Sequence, residues 1–393
     1  MRYAAVTDRL ADLGGARWEI HTLARALKAE GRDLIELTIG EPDVPTPKGL
    51  VDLAHASMKR GRTGYSNGRG EGGLISALAD RYSERLGRPF SRDQFLCLPG
   101  TQTALYLAMM TLTGPGDEVL VGDPAYATYD GVIAASGAVT VPVPLRPENG
   151  FRMRADDVLA AITPRARVLF LNTPHNPTGA LLTRDDIAAL GKIAQDHDLW
   201  IVADEVYEDL VYPGATFVSP LSFPELAERT VVTSSISKSH AAPGFRSGWC
   251  VGPAEFCARA LPLSETMLFG NQPFIADMTE AALRAPSPVA DGMVTRFSRR
   301  AALIHAALDG VAGLAVNRPD AGMFALVDIR STGLSGRDFA LDLLKHESVA
   351  VMPGESFGST LSGWLRLTLT QPDDVTRAAA DRIARHAARL QKT

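Results

Sequence analysis

At 393 residues, 46% hydrophobic and 22% charged, the chain is long enough for two domains or one large one around a sizeable core. Its formal net charge of −5 is mild, and the absence of any basic block excludes nucleic acid and anionic membrane as expected partners. Three cysteines, Cys97, Cys250 and Cys257, fall in no CxxC spacing, which fits a reducing compartment and no disulfide framework.

In the first 15 residues, Asp8, Arg9 and Asp12 interrupt the apolar positions, so no signal peptide is predicted. No apolar run is long enough to span a bilayer, and the expectation is a soluble, cytoplasmic protein. The middle of the chain alternates short apolar runs with helical patterns. Strands are predicted at Gln94–Leu98, Glu118–Val121, Val168–Asn172, Leu199–Asp204, Thr230–Ser234 and Gly248–Val251. Helices are predicted at Leu74–Leu86, Thr101–Leu112, Asp185–His197 and Ala254–Leu261. β-Branched runs bounded by Gly, Pro and Asn and separated by helices predict an α/β fold, with a mainly parallel sheet sandwiched by helices. From about residue 300 the pattern changes. A helix at Arg299–Ala307, strands at Gly322–Ile329, Val349–Met352 and Leu365–Leu369, and a closing helix at Asp373–Leu390 predict a smaller α+β domain. The expected division is a large domain over 46–299 and a small one of 1–45 with 300–393, packed closely around a cleft.

In open α/β sheets ligands gather outside the carboxyl ends of the strands. Three predicted strands end in polar clusters: Asn172 through Asn176-Pro177-Thr178-Gly179, Asp204-Glu205-Val206-Tyr207, and Ser235-Ile236-Ser237-Lys238 followed by Gly244-Phe245-Arg246. A fourth runs through Gly100-Thr101-Gln102 into a helix, whose free N–H groups suit a phosphate. Singly, each has a plain alternative: a solvated loop lysine, a good turn, a helix cap or buried ion-pair carboxylate, a core aromatic. His175 and His240 lack partners at metal-ligand spacing and read as structural or as supports behind the site. Together the clusters ask for a ligand with an aldehyde for the lysine, a phosphate, and a ring nitrogen beside a carboxylate. Pyridoxal 5'-phosphate combines all three. Gly68-Arg69-Gly70-Glu71-Gly72-Gly73 satisfies GxGxxG by letter but follows no buried strand, so its dinucleotide reading fails.

These residues, with Gly40-Glu41-Pro42, Tyr65, Pro124-Ala125-Tyr126 and Arg366, resemble the fold-type-I, class I/II aminotransferases over essentially the whole chain. Within that group the segments 17–21, 144–152 and 196–200 look most like arginine–pyruvate transaminases. The resemblance implies that Lys238 holds the cofactor covalently and then moves the substrate Cα proton. It implies that Asp204 keeps the ring nitrogen protonated, that Asn176 and Tyr207 hydrogen-bond the ring hydroxyl, and that Tyr126 stacks on the ring. Gly100, Thr101, Gln102, Ser235 and Arg246 are expected to hold the phosphate, joined by Tyr65 from the partner in a homodimer with shared active sites. Arg366 is expected to take the substrate α-carboxylate, with Gly40 and Asn176 close to the substrate. Trp18 reads either as a side-chain gate or as packing of the N-terminal segment. Glu19, Glu41 and Asp43 read either as acids facing a cationic side chain or as solvated surface.

The implied activity is ping-pong transamination between an L-amino acid and a 2-oxo acid, with arginine/pyruvate or aspartate/2-oxoglutarate as candidate pairs. Neither 264–271 nor the helix after Gly100 through Leu112 carries a Lys or Arg for a second carboxylate, which weighs against aspartate. A C–S β-lyase on the same scaffold shares these motifs and stays open. A cofactor-binding regulator without turnover is disfavoured, because the chain starts almost directly with the enzyme-like segment 35–42.

Overall fold

The computed structural model of the protein describes residues 2–11, 13 and 16–391; Asp12, Gly14 and Gly15, within the segment read above for a signal peptide, lie outside them. Among the described residues, twelve strands form two sheets. In chain order they are β1 (Ile35–Leu37), β2 (Phe95–Leu98), β3 (Glu118–Asp123), β4 (Val139–Pro144), β5 (Ala166–Asn172) and β6 (Trp200–Asp204). Then follow β7 (Thr230–Ser235), β8 (Gly248–Val251), β9 (Ala315–Asn317), β10 (Phe324–Asp328), β11 (Val349–Pro353) and β12 (Trp364–Thr368).

The larger sheet has the order β2-β8-β7-β6-β5-β3-β4 and is parallel except for β8, which runs antiparallel to both neighbours. Its inner strands are apolar on both faces because helices cover both sides, the usual reason a parallel sheet reads as continuous hydrophobic runs. The smaller sheet has the order β1-β11-β12-β10-β9 and is antiparallel apart from the β1–β11 pair. Helices Ala290–Leu308, Gly336–Glu347 and Asp373–Leu390 pack against it around a core that includes Phe297, Phe339 and Ile383. The α/β fold with a mainly parallel, helix-flanked sheet is as expected.

Register explains how separate motifs meet. Asn172 pairs with Asp204 across β5 and β6, and Asp204 with Thr233 across β6 and β7. Three adjacent parallel strands therefore end at one level, and their polar termini share one edge. The smaller sheet faces that edge through Arg366 on β12 and the segment following β1.

Some elements differ from expectation. Strand β4 was not predicted; its Pro142 and Pro144 cannot donate to a ladder, and the strand lies at the sheet edge, where that loss is tolerated. The helix expected at Arg299 begins at Ala290, because Met293 and Phe297 continue the buried stripe back past Gly292. The helix from Ala254 runs through Pro262 to Met267, beyond the expected Leu261. Among the described residues no helix is long and apolar enough to cross a membrane, and no His, Cys, Asp and Glu group could hold a metal ion.

Candidate active site

Lys238 lies just past β7 on the single turn Ile236–Ser239, whose start is capped by Ser235 Oγ accepting from the Ser237 N–H at 3.3 Å. The turn points the lysine amine across the gap between the sheets, where Nζ donates to the Gly40 carbonyl at 2.8 Å. Burial lowers its pKa to about 8; Glu41 opposes the shift, while Arg366 and Arg246 add to it. Near neutral pH the protonated form still prevails, but the neutral, nucleophilic fraction is far larger than for a solvated lysine.

Asp204 ends β6 and is buried. Desolvation raises its pKa to about 6 against hydrogen bonds that hold it ionised: the Tyr129 hydroxyl at 2.7 Å and the Val206 N–H at 3.1 Å. A cation at its free side would bring the carboxyl back down. Tyr126 stands at the same cleft and meets Tyr129 edge-on, with ring centroids 5.5 Å apart. Tyr207 is buried beside them, and burial holds its phenol above the usual range.

Arg366 is 2% exposed. Its Nη2 donates to the Thr38 carbonyl at 2.6 Å and Nη1 to Asn176 Oδ1 at 3.2 Å, while Nε has no partner. Burial lowers its pKa to about 10, so it stays cationic at neutral pH. Gly40 is required opposite it: a Cβ there would fall 2.2 Å from the Phe324 ring, which itself covers Arg366.

The third corner collects donors. Thr101 begins the helix Thr101–Leu112, and its hydroxyl is buried with no partner. Arg246 adopts a left-handed φ of 50° and donates to the Pro243 carbonyl at 2.8 Å, with no carboxylate among the described residues within ion-pair reach. Gly100, at φ 83°, adopts a conformation that favours glycine, and a Cβ there would lie 2.4 Å from the Arg246 guanidinium and push it aside. An orphaned hydroxyl, a helix start, the Ser235 and Ser237 hydroxyls and a guanidinium without a carboxylate form a donor set that fits a phosphate.

The structure thus brings Trp18, Gly40, Thr101, Gln102, Tyr126 and Asn176 to one cleft of about 210 Å³. Asp204, Tyr207, Ser235, Lys238, Arg246 and Arg366 line it too. Gly100 adjoins it through Arg246. Tyr65 does not reach it: the side chain is 94% exposed and packs on Phe269, itself 61% exposed. Two acids considered for a cationic substrate are committed elsewhere. Asp43 is bound by Arg296 at 2.7 Å and Arg300 at 2.8 Å, and Glu19 by Arg337 at 2.8 Å. His175 is buried against Thr178 and His240 against the Ala282 carbonyl, as structural residues. Sequence reading missed Tyr129, Phe324 and Phe357. Tyr129 lies three residues beyond Tyr126, across the turn that opens the helix Tyr129–Ser136, a spacing that could have signalled it; the phenylalanines look like any core residue.

The protein matches the family model "Aminotransferase class I and II" over residues 32–383. It is 45% identical to "Arginine--pyruvate transaminase AruH" of Pseudomonas aeruginosa over 99% of both chains. It is 32% identical to an aspartate aminotransferase of Musicola paradisiaca, covering 97% of this chain and 96% of that one. Among solved structures, a double mutant of Thermus thermophilus aspartate aminotransferase superposes with a TM-score of 0.91 at 30% identity, over 98% of this chain and 100% of the other.

Proposed function

We propose a reading of the site that starts from its family: the chain belongs to the aminotransferases of class I and II, and it is an enzyme that transfers an amino group. Its cofactor is pyridoxal 5'-phosphate, and the observation that carries this reading is the Lys238 amine, its pKa lowered by burial, set in one cleft with the Asp204 carboxylate and the phosphate donors Thr101, Ser235 and Arg246. When bound, that cofactor supplies an aldehyde for the amino group and a protonated ring that takes up charge from the substrate Cα.

The chain's own residues do the rest. Lys238 would hold the cofactor through its amine, and the same amine, when free, would move the substrate Cα proton. Asp204 keeps a proton on the ring nitrogen, held in place by Tyr129. Tyr126 would offer its ring face to the cofactor, and Asn176 and Tyr207 would bind its hydroxyl. Thr101, Gln102, Ser235 and Arg246 hold the phosphate, with Gly100 giving the backbone its approach. Arg366 receives the α-carboxylate on a guanidinium edge whose Nε is unpartnered. Gly40 leaves room for the substrate, and Trp18 borders the side-chain end.

The donor is arginine and the acceptor pyruvate, rather than aspartate and 2-oxoglutarate. This is supported by the 45% identity to a transaminase of that name. It is also supported by the cleft, whose basic side chains are Lys238, Arg246 and Arg366, all of which have other work. The proposed division is a large domain over 46–299 and a small one of 1–45 with 300–393; it is supported by the strands of the two sheets falling on either side of it, although the helix Ala290–Leu308 crosses the 299/300 boundary. The exposed Tyr65–Phe269 pair supports a homodimer in which Tyr65 completes the partner's phosphate site. A cytoplasmic location is supported by three buried, unpaired cysteines.

The test is the visible spectrum of the purified protein, with single amino acids added and no 2-oxo acid present. Conversion of the lysine-bound cofactor band to a stable pyridoxamine band, fastest with arginine, is the expected result. Ammonia and pyruvate accumulating while the band persists would mean a lyase. No band after addition of pyridoxal 5'-phosphate would overturn the reading of Lys238.

A further inference from the structure

Arg366 is a buried cation that meets no carboxylate among the described residues; its hydrogen bonds go to a carbonyl and an amide oxygen. Rings supply the remaining compensation. The guanidinium carbon lies 3.9 Å from the Phe324 ring centroid and 4.3 Å from that of Phe357. Aromatic faces stabilise a guanidinium through its flat sides and leave its N–H edge free, whereas a protein carboxylate would occupy the edge that an incoming carboxylate needs.

Phe357 is tied to the other half of the cleft as well. It belongs to the strap 354–361, and its backbone carbonyl accepts the Ala125 N–H at 2.8 Å, one residue before Tyr126. The strap is fastened to the same loop beyond that point. Ser359 Oγ donates to Asp123 at 2.6 Å, and Gly358 packs so closely that a Cβ would meet the Asp123 carboxylate. One residue thus touches the Arg366 guanidinium with its ring and fixes the Tyr126 segment with its backbone.

We propose that Phe357 is a positioning residue for carboxylate recognition: it holds the Arg366 guanidinium flat and edge-on to the cleft, at a set distance from the Tyr126 ring. This rests on the reading of Arg366 as the carboxylate site. The effect belongs to binding of the carboxylate, common to every amino acid and 2-oxo acid, and not to proton transfer at Cα.

The experiment measures propionate, a carboxylate without an amino group, by titration calorimetry on cofactor-free and cofactor-loaded protein. Phe357→Leu should weaken propionate binding about tenfold in both forms. It should raise KM for arginine and alanine alike while kcat stays within about twofold, and Phe357→Tyr, which keeps the ring face, should restore binding. A folded Phe357→Leu with unchanged propionate affinity, or an equal loss in Phe357→Tyr, would overturn the proposal. If Phe357→Leu does not fold, Phe357→Met removes the same ring with a flexible side chain that adapts to the space, and unchanged affinity there would overturn it equally. Arg366→Ala separates the two readings: propionate binding that survives it refutes the carboxylate site itself, while loss there with none in Phe357→Leu refutes only the role of Phe357.

Discussion

Lys238 and Asp204 are both moved from their ordinary pKa values by burial, in opposite directions; the Lys238 shift serves its task, and the Asp204 shift is restrained by hydrogen bonds that favour its ionised form. A lysine must shed its proton before it can attack an aldehyde. With its pKa lowered to about 8, the protonated form prevails below that pH and the nucleophilic form above it. Covalent uptake of pyridoxal 5'-phosphate by the cofactor-free enzyme should therefore accelerate with a midpoint near pH 8, about two units below that of a solvated lysine. Stopped-flow absorbance across pH 6–10 checks this, and a midpoint near pH 10 would mean the amine is solvated. Tyr129 gives a second test at this scale. Its hydroxyl is one of the two hydrogen-bond donors that favour the ionised form of Asp204. Tyr129→Phe should raise the Asp204 pKa further, weaken its hold on the ring nitrogen, and lower kcat about tenfold with KM little changed. A fall in affinity alone, with kcat intact, would show that Tyr129 only packs.

The segment after β1 depends on an ion-pair cluster that joins elements far apart in sequence. Asp43, just past Gly40, is held by Arg296 and Arg300 from the helix Ala290–Leu308, and Arg300 also reaches Asp373 at the start of the closing helix. Burial opposes ionisation of Asp43, yet the two arginines hold its carboxyl below the usual carboxylate range. A carboxyl whose folded pKa is depressed stabilises the fold above its unfolded pKa of about 4, and that stability is lost as pH falls through the lower folded value. Asp43→Ala leaves Arg300 buried with one acidic partner fewer, and should cost about 3 kcal/mol by urea unfolding at pH 7. It should also raise KM for all amino acids, since the displaced segment carries Gly40 and the Thr38 carbonyl that orients Arg366. Stability lost without any change in KM would uncouple the cluster from the site. Asp43 also shows where sequence reading stops. Lys238, Asp204 and Asn176 were legible because buried parallel strands read as apolar runs, and a polar cluster at such an end stands out. Asp43 was read as a surface or substrate-facing acid because its partners lie more than 250 residues away. Phe324 and Phe357 were illegible for a related reason: a ring over a guanidinium has the same sequence signature as a ring in a core.

At the scale of the whole molecule, Tyr65 is the residue that one chain leaves unexplained. A tyrosine 94% exposed beside a phenylalanine 61% exposed is an apolar surface in need of a cover, and in a two-fold dimer the same patch occurs on both subunits. If Tyr65 completes the partner's phosphate site, each active site is built from two chains and a hybrid can repair what neither parent can do. A Lys238→Ala chain keeps Tyr65 but cannot hold the cofactor covalently; a Tyr65→Ala chain keeps Lys238 but gives its partner an incomplete phosphate site. In a hybrid, the site on the Tyr65→Ala chain receives Tyr65 from the Lys238→Ala chain and is wholly wild type. Random reassociation of equal amounts should therefore restore about a quarter of sites to wild-type cofactor affinity and turnover. The parents mixed without subunit exchange should show none of this gain. Cofactor titration of the exchanged mixture reads it directly, as a tight fraction absent from either parent. If exchange is shown by mass but no tight fraction forms, Tyr65 serves its own chain or only the dimer contact, and the shared site is wrong.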